Sequence, residues 1–282
     1  MMRVIINADD FGYSHGINIA IQKAIEEKKI SSTTIMANAP FYEEAVEIAK
    51  KFNGVSYGVH LNIIEFKPLT NGDVFSKYNL IDDDGCFIEG AVFCVKDFPE
   101  ELKRAIKEEW IAQVIKVRKS GVDISHIDSH QHAHAIPALQ SILIELMEEL
   151  GIQKCRRRGF LSVSKLLRSK NYICPKYNKN NVRVPKKRNV LRKLYDHFFL
   201  LPLRQMMWVK KMKRCARITD DLFSYQYFIQ DAPYQKSRLK GKCIELECHP
   251  GLIYNIEETE MLMADMLSRV VPGYKLINYN DL

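Results

Sequence analysis

At 282 residues the chain has room for one large α/β domain or two small ones. A hydrophobic share of 46% with 27% charged residues excludes wholesale disorder, and no run approaches the ~18 apolar residues of a membrane-spanning helix. The net charge of +8 conceals an asymmetry: residues 151–217 hold 21 Lys and Arg against one acid, Asp196, leaving 21 basic and 33 acidic residues elsewhere.

In chain order, apolar runs rich in β-branched residues alternate with amphipathic stretches. Val4–Asn7 reads as a short buried strand, too brief and too quickly acidic for a signal-peptide core. A helix over Gly16–Lys28 puts Ile17, Ala20, Ile21, Ala24 and Ile25 on one face. Thr33–Ala37 is a second strand, Tyr42–Lys51 a second helix and Val55–Leu61 a third strand. Gly72–Pro99 lacks periodicity and carries Asn-Gly and Asp-Gly turn signals, so it reads as a loop or small excursion. A long helix over Glu101–Lys119 is followed by a strand at Asp123–Asp128, a helix at Pro137–Leu150 and a strand at Ile152–Arg156. Beyond the basic segment, Tyr225–Ile229 and Lys242–Glu247 read as strands, Ile256–Arg269 as a helix and Tyr274–Ile277 as a last strand.

Such alternation implies parallel βαβ units. No G-x-G-x-x-G follows the first strand, so a dinucleotide-binding sheet lacks its signature. The expected fold is α/β: a closed or partly open parallel β/α barrel, 1–282 forming a single domain, with 157–217 as a basic helical insertion. Seven cysteines (86, 94, 155, 174, 215, 243 and 248) form no CxxC pair. Scattered in a chain without an export signal, they read as reduced thiols of a cytoplasmic protein.

Four clusters each sit just past an expected strand: Asn7-Ala-Asp9-Asp10, Gly58-Val-His60, the run His126 to His134, and Glu247-Cys-His249-Pro-Gly251. In β/α folds the C-terminal strand ends form the active-site rim, so these clusters should converge. Either aspartate alone could cap the following helix, but capping does not account for both. A lone His60 would ordinarily be a hydrogen-bonded structural residue. His126, Asp128, His130, His132 and His134 recur at spacing two, which in an extended chain places all five on one face. Two imidazoles with a carboxylate form a familiar open ligand set for a catalytic divalent ion, with the remaining His and Asp orienting ligands from behind. His249 beside such a site is the natural general acid. Cys248 is expected to pack rather than react, because alternation turns it away from the His249 face.

NADDFG at 7–12, GVHLN at 58–62, HIDSHQHAH at 126–134 and ECHPG at 247–251 together resemble the YdjC-like carbohydrate deacetylases, relatives of the polysaccharide deacetylases with a distorted β/α barrel. The resemblance implies a metal-dependent hydrolase that removes the acetyl group from an N-acetylated sugar. It assigns the divalent metal to Asp10, His60 and His130, the base to Asp9 and the acid to His249. Asp128, His132 and His134 are expected to support the ligands. Magnesium is the family's usual ion, and zinc suits two imidazoles equally by ligand preference. A Gly-Ile-x-x-x-Arg pattern ends at Arg156 and a similar element holds Arg183, so either arginine could line the pocket. Asp221, in Thr-Asp-Asp-Leu-Phe at 219–223, matches a substrate-side motif, although Ser224 stands where a glycine is common.

The basic segment carries a second reading. Lys186–Arg217 interleaves cations with apolar and aromatic residues and is divided by Pro202, which resembles an interfacial element meeting an anionic membrane surface or glycolipid substrate. The bland reading is a pair of helices packed on the barrel with a solvated basic face. Nucleic acid is not an expected partner, since no recognised binding module accompanies the charge. A homodimer is compatible with the sequence.

Overall fold

The structure, a computed structural model, describes residues 1–157, 201–235 and 238–282. Its first strand, β1 (Arg3–Phe11), is buried from Val4 onward, as expected of a parallel strand covered on both faces. It is flanked by β2 (Ser32–Ile35) on one side and β6 (Cys243–Cys248) on the other. The sheet continues through β3 (Ser56–Leu61) to β4 (Ile124–Ser129), and from β6 to β5 (Asp221–Ser224), every pairing being parallel. A short β7 (Lys275–Leu276) pairs with the first residues of β1.

Two bridges join the sheet's far edges. Cys155 pairs with Ile127 of β4, and Lys154 pairs with Arg217, just upstream of β5. Backbone bonds from Arg156 N to Ile127 O (3.0 Å), from Arg217 N to Gln153 O (2.8 Å) and from Asp220 N to Cys243 O (2.7 Å) complete the ring. The result is an α/β barrel with one thin seam.

Helices cover the outside. In α1 (His15–Glu26), Ser14 caps the start by accepting from Ile17 N, while Ile17, Ile21, Ala24 and Ile25 turn to the sheet. α2 (Tyr42–Ala49) follows β2, and the excursion after β3 contains the short α3 (Asp73–Lys77) and α4 (Ala91–Cys94). α5 (Glu100–Lys119) buries Trp110 completely, and α6 (Gln140–Glu149) lies beside it. α7 (Leu201–Cys215) carries Pro202 next to the first of its described residues. Trp208 and Met212, four residues apart, are buried, and Trp208 O accepts from Gln140 Nε2. Leu203, Met206 and Met207 are exposed. The rest of the expected basic insertion, including Arg183, lies outside the described residues.

Several expectations are corrected. Tyr225–Ile229 is the start of α8 (Tyr225–Gln235), not a strand. Tyr225, Phe228, Ile229 and Ala232 are buried at i, i+3, i+4 and i+7, so a helical stripe outweighed the β propensity of the aromatics. The strand is Asp221–Ser224, immediately before it. The helix expected over Ile256–Arg269 is two, α9 (Ile256–Met263) and α10 (Met266–Val270), separated where Asp265 takes φ 53°. Ile152–Arg156 contributes only bridge pairs. Cys86, Cys155, Cys215, Cys243 and Cys248 are free thiols, but Cys94 is disulfide-bonded, against the expectation of uniformly reduced cysteines. Among the described residues no helix is long and apolar enough to cross a membrane.

Candidate metal centre and catalytic site

β1 ends in two buried carboxylates that face different partners. Asp10 sits at φ 66°, a left-handed conformation uncommon for a non-glycine residue, and this twist separates its side chain from that of Asp9. Its Oδ1 lies 3.2 Å from His60 Nε2 and 2.9 Å from His130 Nδ1. One ligand atom from each of these three residues falls within 4.8 Å of the others. The other nitrogen of each imidazole is held by an acid: His60 Nδ1 by Asp128 at 2.7 Å, and His130 Nε2 by Glu65 at 3.1 Å. A carboxylate behind a ligating imidazole fixes its ring and tautomer, as at metal sites generally.

The electrostatics fit a cation. Burial opposes charge on His130, yet Asp10 and Glu65 raise its pKa to about 9. Burial likewise opposes charge on His60, and Asp128 and Asp10 raise it well above the imidazole range. Burial pushes the Asp10 carboxyl upward, but the two histidines hold it well below the usual carboxylate range. Protons on these imidazoles supply positive charge that a divalent ion would supply when bound. One carboxylate and two imidazoles suit magnesium less specifically than zinc, but accommodate either.

Asp9 is bound on the opposite side. The Arg156 guanidinium grips both its oxygens at 2.6 Å and also reaches Asp128 at 2.8 Å and Glu245 at 2.7 Å. Burial raises the Asp9 pKa, and Arg156 brings it net below the ordinary value, so the carboxyl is ionised. Arg156 itself is fully buried, its guanidinium engaged with these protein carboxylates. Glu245 shares the floor of the barrel with Tyr279, whose hydroxyl donates to it at 2.5 Å. Burial, set against Arg156, moves Glu245 up to about 7.

His249 follows β6 into a turn at Gly251 (φ 85°), where any Cβ would strike Ala20 Cβ at 2.8 Å and Gly16 O at 2.9 Å. Only glycine lets this turn press so closely on α1. His249 Nε2 lies 3.8 Å from Asp9 Oδ2, and Nδ1 lies 3.5 Å from Glu258. Glu258 also accepts from His249 N at 2.7 Å and Asn255 Nδ2 at 2.9 Å, fixing the turn. Burial opposes the imidazolium, but Glu258 and Asp9 raise His249 to about 10. Cys248 points away, its thiol bonded to Asn7 O and pushed up by burial.

The expected single face from His126 to His134 ends at Ser129. Beyond it the chain enters a 3-10 segment, His130–Ala135, with Gln131 and His132 at φ 48° and 58°. His126 remains below the site, stacked on Tyr279 at 3.5 Å, in space left by Gly58. His132 instead turns to Glu247, 3.3 Å away, and His134 is tied to Ser129 Oγ at 2.6 Å. Asp221 is buried, 3.6 Å from Arg157 Nη1.

Beside His249 opens a cleft of about 620 Å³ lined by Ser224, Tyr227, Glu247, Ile253, Glu257 and Glu258 among others. Arg156 and Asp221 are not among its lining side chains. Glu65, Glu245 and Glu258 went unrecognised in the sequence. For Glu245 a signal existed: acids at alternate positions of an otherwise apolar strand, CIELEC, point into the barrel with Glu247.

A family model described as YdjC-like protein matches residues 3–271. The chain belongs to that family. Two curated relatives, each named carbohydrate deacetylase, come from Brevibacillus brevis (38% identical over 151 residues) and Vibrio cholerae serotype O1 (39% over 152). Each alignment covers 54% of this chain and 58% or 57% of the relative, so the match spans little more than half of those proteins' length. A solved structure from Enterococcus faecalis V583, named for cellobiose-phosphate cleavage, superposes with a TM-score of 0.68 over 99% of this chain and 98% of its own at 21% identity. That likeness is one of fold.

Proposed function

We propose that this YdjC-like chain is a divalent-metal-dependent hydrolase that removes the acetyl group from an N-acetylated amino sugar. The observation that carries the reading is the convergence of Asp10, His60 and His130 on one side of Asp9, with His249 3.8 Å away on the other. The name of the curated relatives and the order of the shared motifs support the same chemistry.

Asp10, His60 and His130 would hold the ion, which when bound polarises the acyl oxygen and acidifies water. Asp9, kept ionised by Arg156, accepts the proton from water as its oxygen attacks the acyl carbon. His249, protonated against Glu258, donates to the amide nitrogen as the C–N bond breaks, giving acetate and a free amine. The 3.8 Å separation then lets Asp9 return its proton to His249, restoring the starting state. Arg156 and Asp128 act from within the protein, positioning Asp9 and His60.

The test is acetate release from a panel of N-acetylated mono- and oligosaccharides, with and without chelator. Metal-dependent release that Asp9→Asn abolishes supports the proposal; release unaffected by both chelator and Asp9→Asn removes it. The membrane reading of the basic segment gains no support from the described residues.

A further inference from the structure

Asn62 closes the GVHLN motif, yet no step of the deacetylation scheme uses it. It is fully buried, and every donor and acceptor of its side-chain amide is taken. Oδ1 accepts from Ile64 N at 2.9 Å and Glu65 N at 3.3 Å, while Nδ2 donates to Glu65 O at 2.7 Å and Asn38 Oδ1 at 3.0 Å. Asn38 Nδ2 in turn donates to Glu65 O at 3.3 Å and Lys67 O at 3.1 Å. Both backbone polar groups of Glu65 are thus held by side chains. Regular structure does not hold them, because β3 ends at Leu61 and the chain turns at Phe66 (φ 65°).

This cradle is anchored to α5. Gln113 accepts from Asn62 N at 2.8 Å and donates to Asn62 O at 2.6 Å and to Glu109 at 2.7 Å. Glu109, four residues earlier on the same buried face, accepts from Leu69 N at 3.0 Å and from Thr70 N at 2.8 Å. A buried polar network satisfied at so many positions fixes one arrangement of the chain. The residue it fixes is the one that meets a proposed metal ligand. Glu65 Oε2 lies 3.1 Å from His130 Nε2, and Oε1 accepts from the Tyr13 hydroxyl at 3.4 Å.

We propose that Asn62, assisted by Asn38, is a positioning residue of the metal centre: it sets the Glu65 backbone, and Glu65 aims the His130 imidazole at the ion. The inference rests on the proposed divalent-metal reading and extends it outward to the buried face of α5.

The experiment is a double-mutant cycle on metal affinity, with the metal-free protein titrated by zinc or magnesium ions alone in a calorimeter. Asn62→Ala should weaken binding about tenfold, the lower end of what losing a group behind a ligand costs. Asn38→Ala should weaken it less, and because Asn38 is only half-buried it carries the cycle if Asn62→Ala does not fold. In a Glu65→Gln background both effects should shrink below about twofold, since the acid through which they act no longer carries its charge. A structural role alone would produce the same loss in either background. Native affinity in both variants, or losses of equal size with and without Glu65, overturns the proposal. If the native protein binds neither ion, the metal reading fails by itself, and nitrogen NMR of the His130 ring at fixed pH decides the cradle. An Nε2 resonance shifted by Asn38→Ala sustains it, and one that neither substitution moves rejects it.

Discussion

Replacing Arg156 by Met should be among the most destabilising single changes in the barrel. The side chain is fully buried, and Asp9, Asp128, Glu245 and Glu247 all lie within 3.8 Å of its guanidinium. Methionine fills most of the space but leaves Glu245 with only the Tyr279 hydroxyl and removes the two-pronged grip on Asp9. Removing one partner of a buried ion pair costs about 3–5 kcal/mol. At roughly 2–4 °C per kcal/mol for a chain of this size, Tm should fall by about 6–20 °C. Arg156→Lys keeps the charge without the planar fork and should lose less. The pH dependence has a definite sign. Because Asp9 is held below its ordinary 3.8, its stabilisation is present above that pH and lost as pH falls through the folded value, so the gap between native and Met variant should narrow in acid. Urea unfolding followed by circular dichroism at neutral and acidic pH measures both effects. A Met variant within about 1 kcal/mol of the native protein at pH 7, no more than an exposed ion pair supplies, would refute this account of the barrel floor.

His60→Ala or His130→Ala should abolish stoichiometric zinc or magnesium binding by calorimetry while the circular dichroism spectrum is kept. Glu65→Gln should weaken metal affinity about 10–100-fold, as loss of a carboxylate behind a ligating imidazole does elsewhere; unchanged affinity would remove Glu65 from that role. His249→Ala should lower the rate of acetate release about 10²–10⁴-fold with metal binding intact. In the metal-free protein, the His249 pKa of about 10 lies above the ordinary 6.5, so its charge stabilises the fold fully below pH 6.5. That contribution declines as pH rises from 6.5 and disappears through about 10, and His249→Gln should therefore differ most from the native protein near pH 6 and least above pH 10. Gly58→Ala would place a Cβ 2.5 Å from His126 Cε1 and 2.7 Å from Thr34 Cγ2, and should cost about 1–3 kcal/mol in thermal unfolding.

The strand–helix alternation was legible because parallel strands buried on both faces read as apolar runs, and β1, β3 and β6 carry that pattern. β2, Ser-Thr-Thr-Ile, is wholly buried yet mostly polar; its hydroxyls bond inward, Thr33 to Ala8 O and Thr34 to Asp128. The proposed ligands were legible because each follows a strand, a positional rule that needs no long-range information. Arg156, Glu65 and Glu258 were harder. Their roles depend on partners 147, 65 and 9 residues away, and only the fold sets those distances. The spacing-two reading of the His-rich run failed at Gln131 because periodicity cannot see two successive left-handed residues.

The seam described above has an architectural consequence. The chain departs after Arg156 and returns at Arg217, and these ends are already neighbours: Cys155 N bonds Arg217 O, and Arg217 N bonds Gln153 O. Whatever lies between is attached as a cassette whose entry and exit share adjacent rungs. Because closing a loop costs only about 0.6 kcal/mol more for each doubling of its length, the barrel imposes little selection on the size of that cassette. Asp9, Asp10, His60 and His249 are all carried by strands or turns outside it, so the proposed site keeps its geometry whatever the length of that connection.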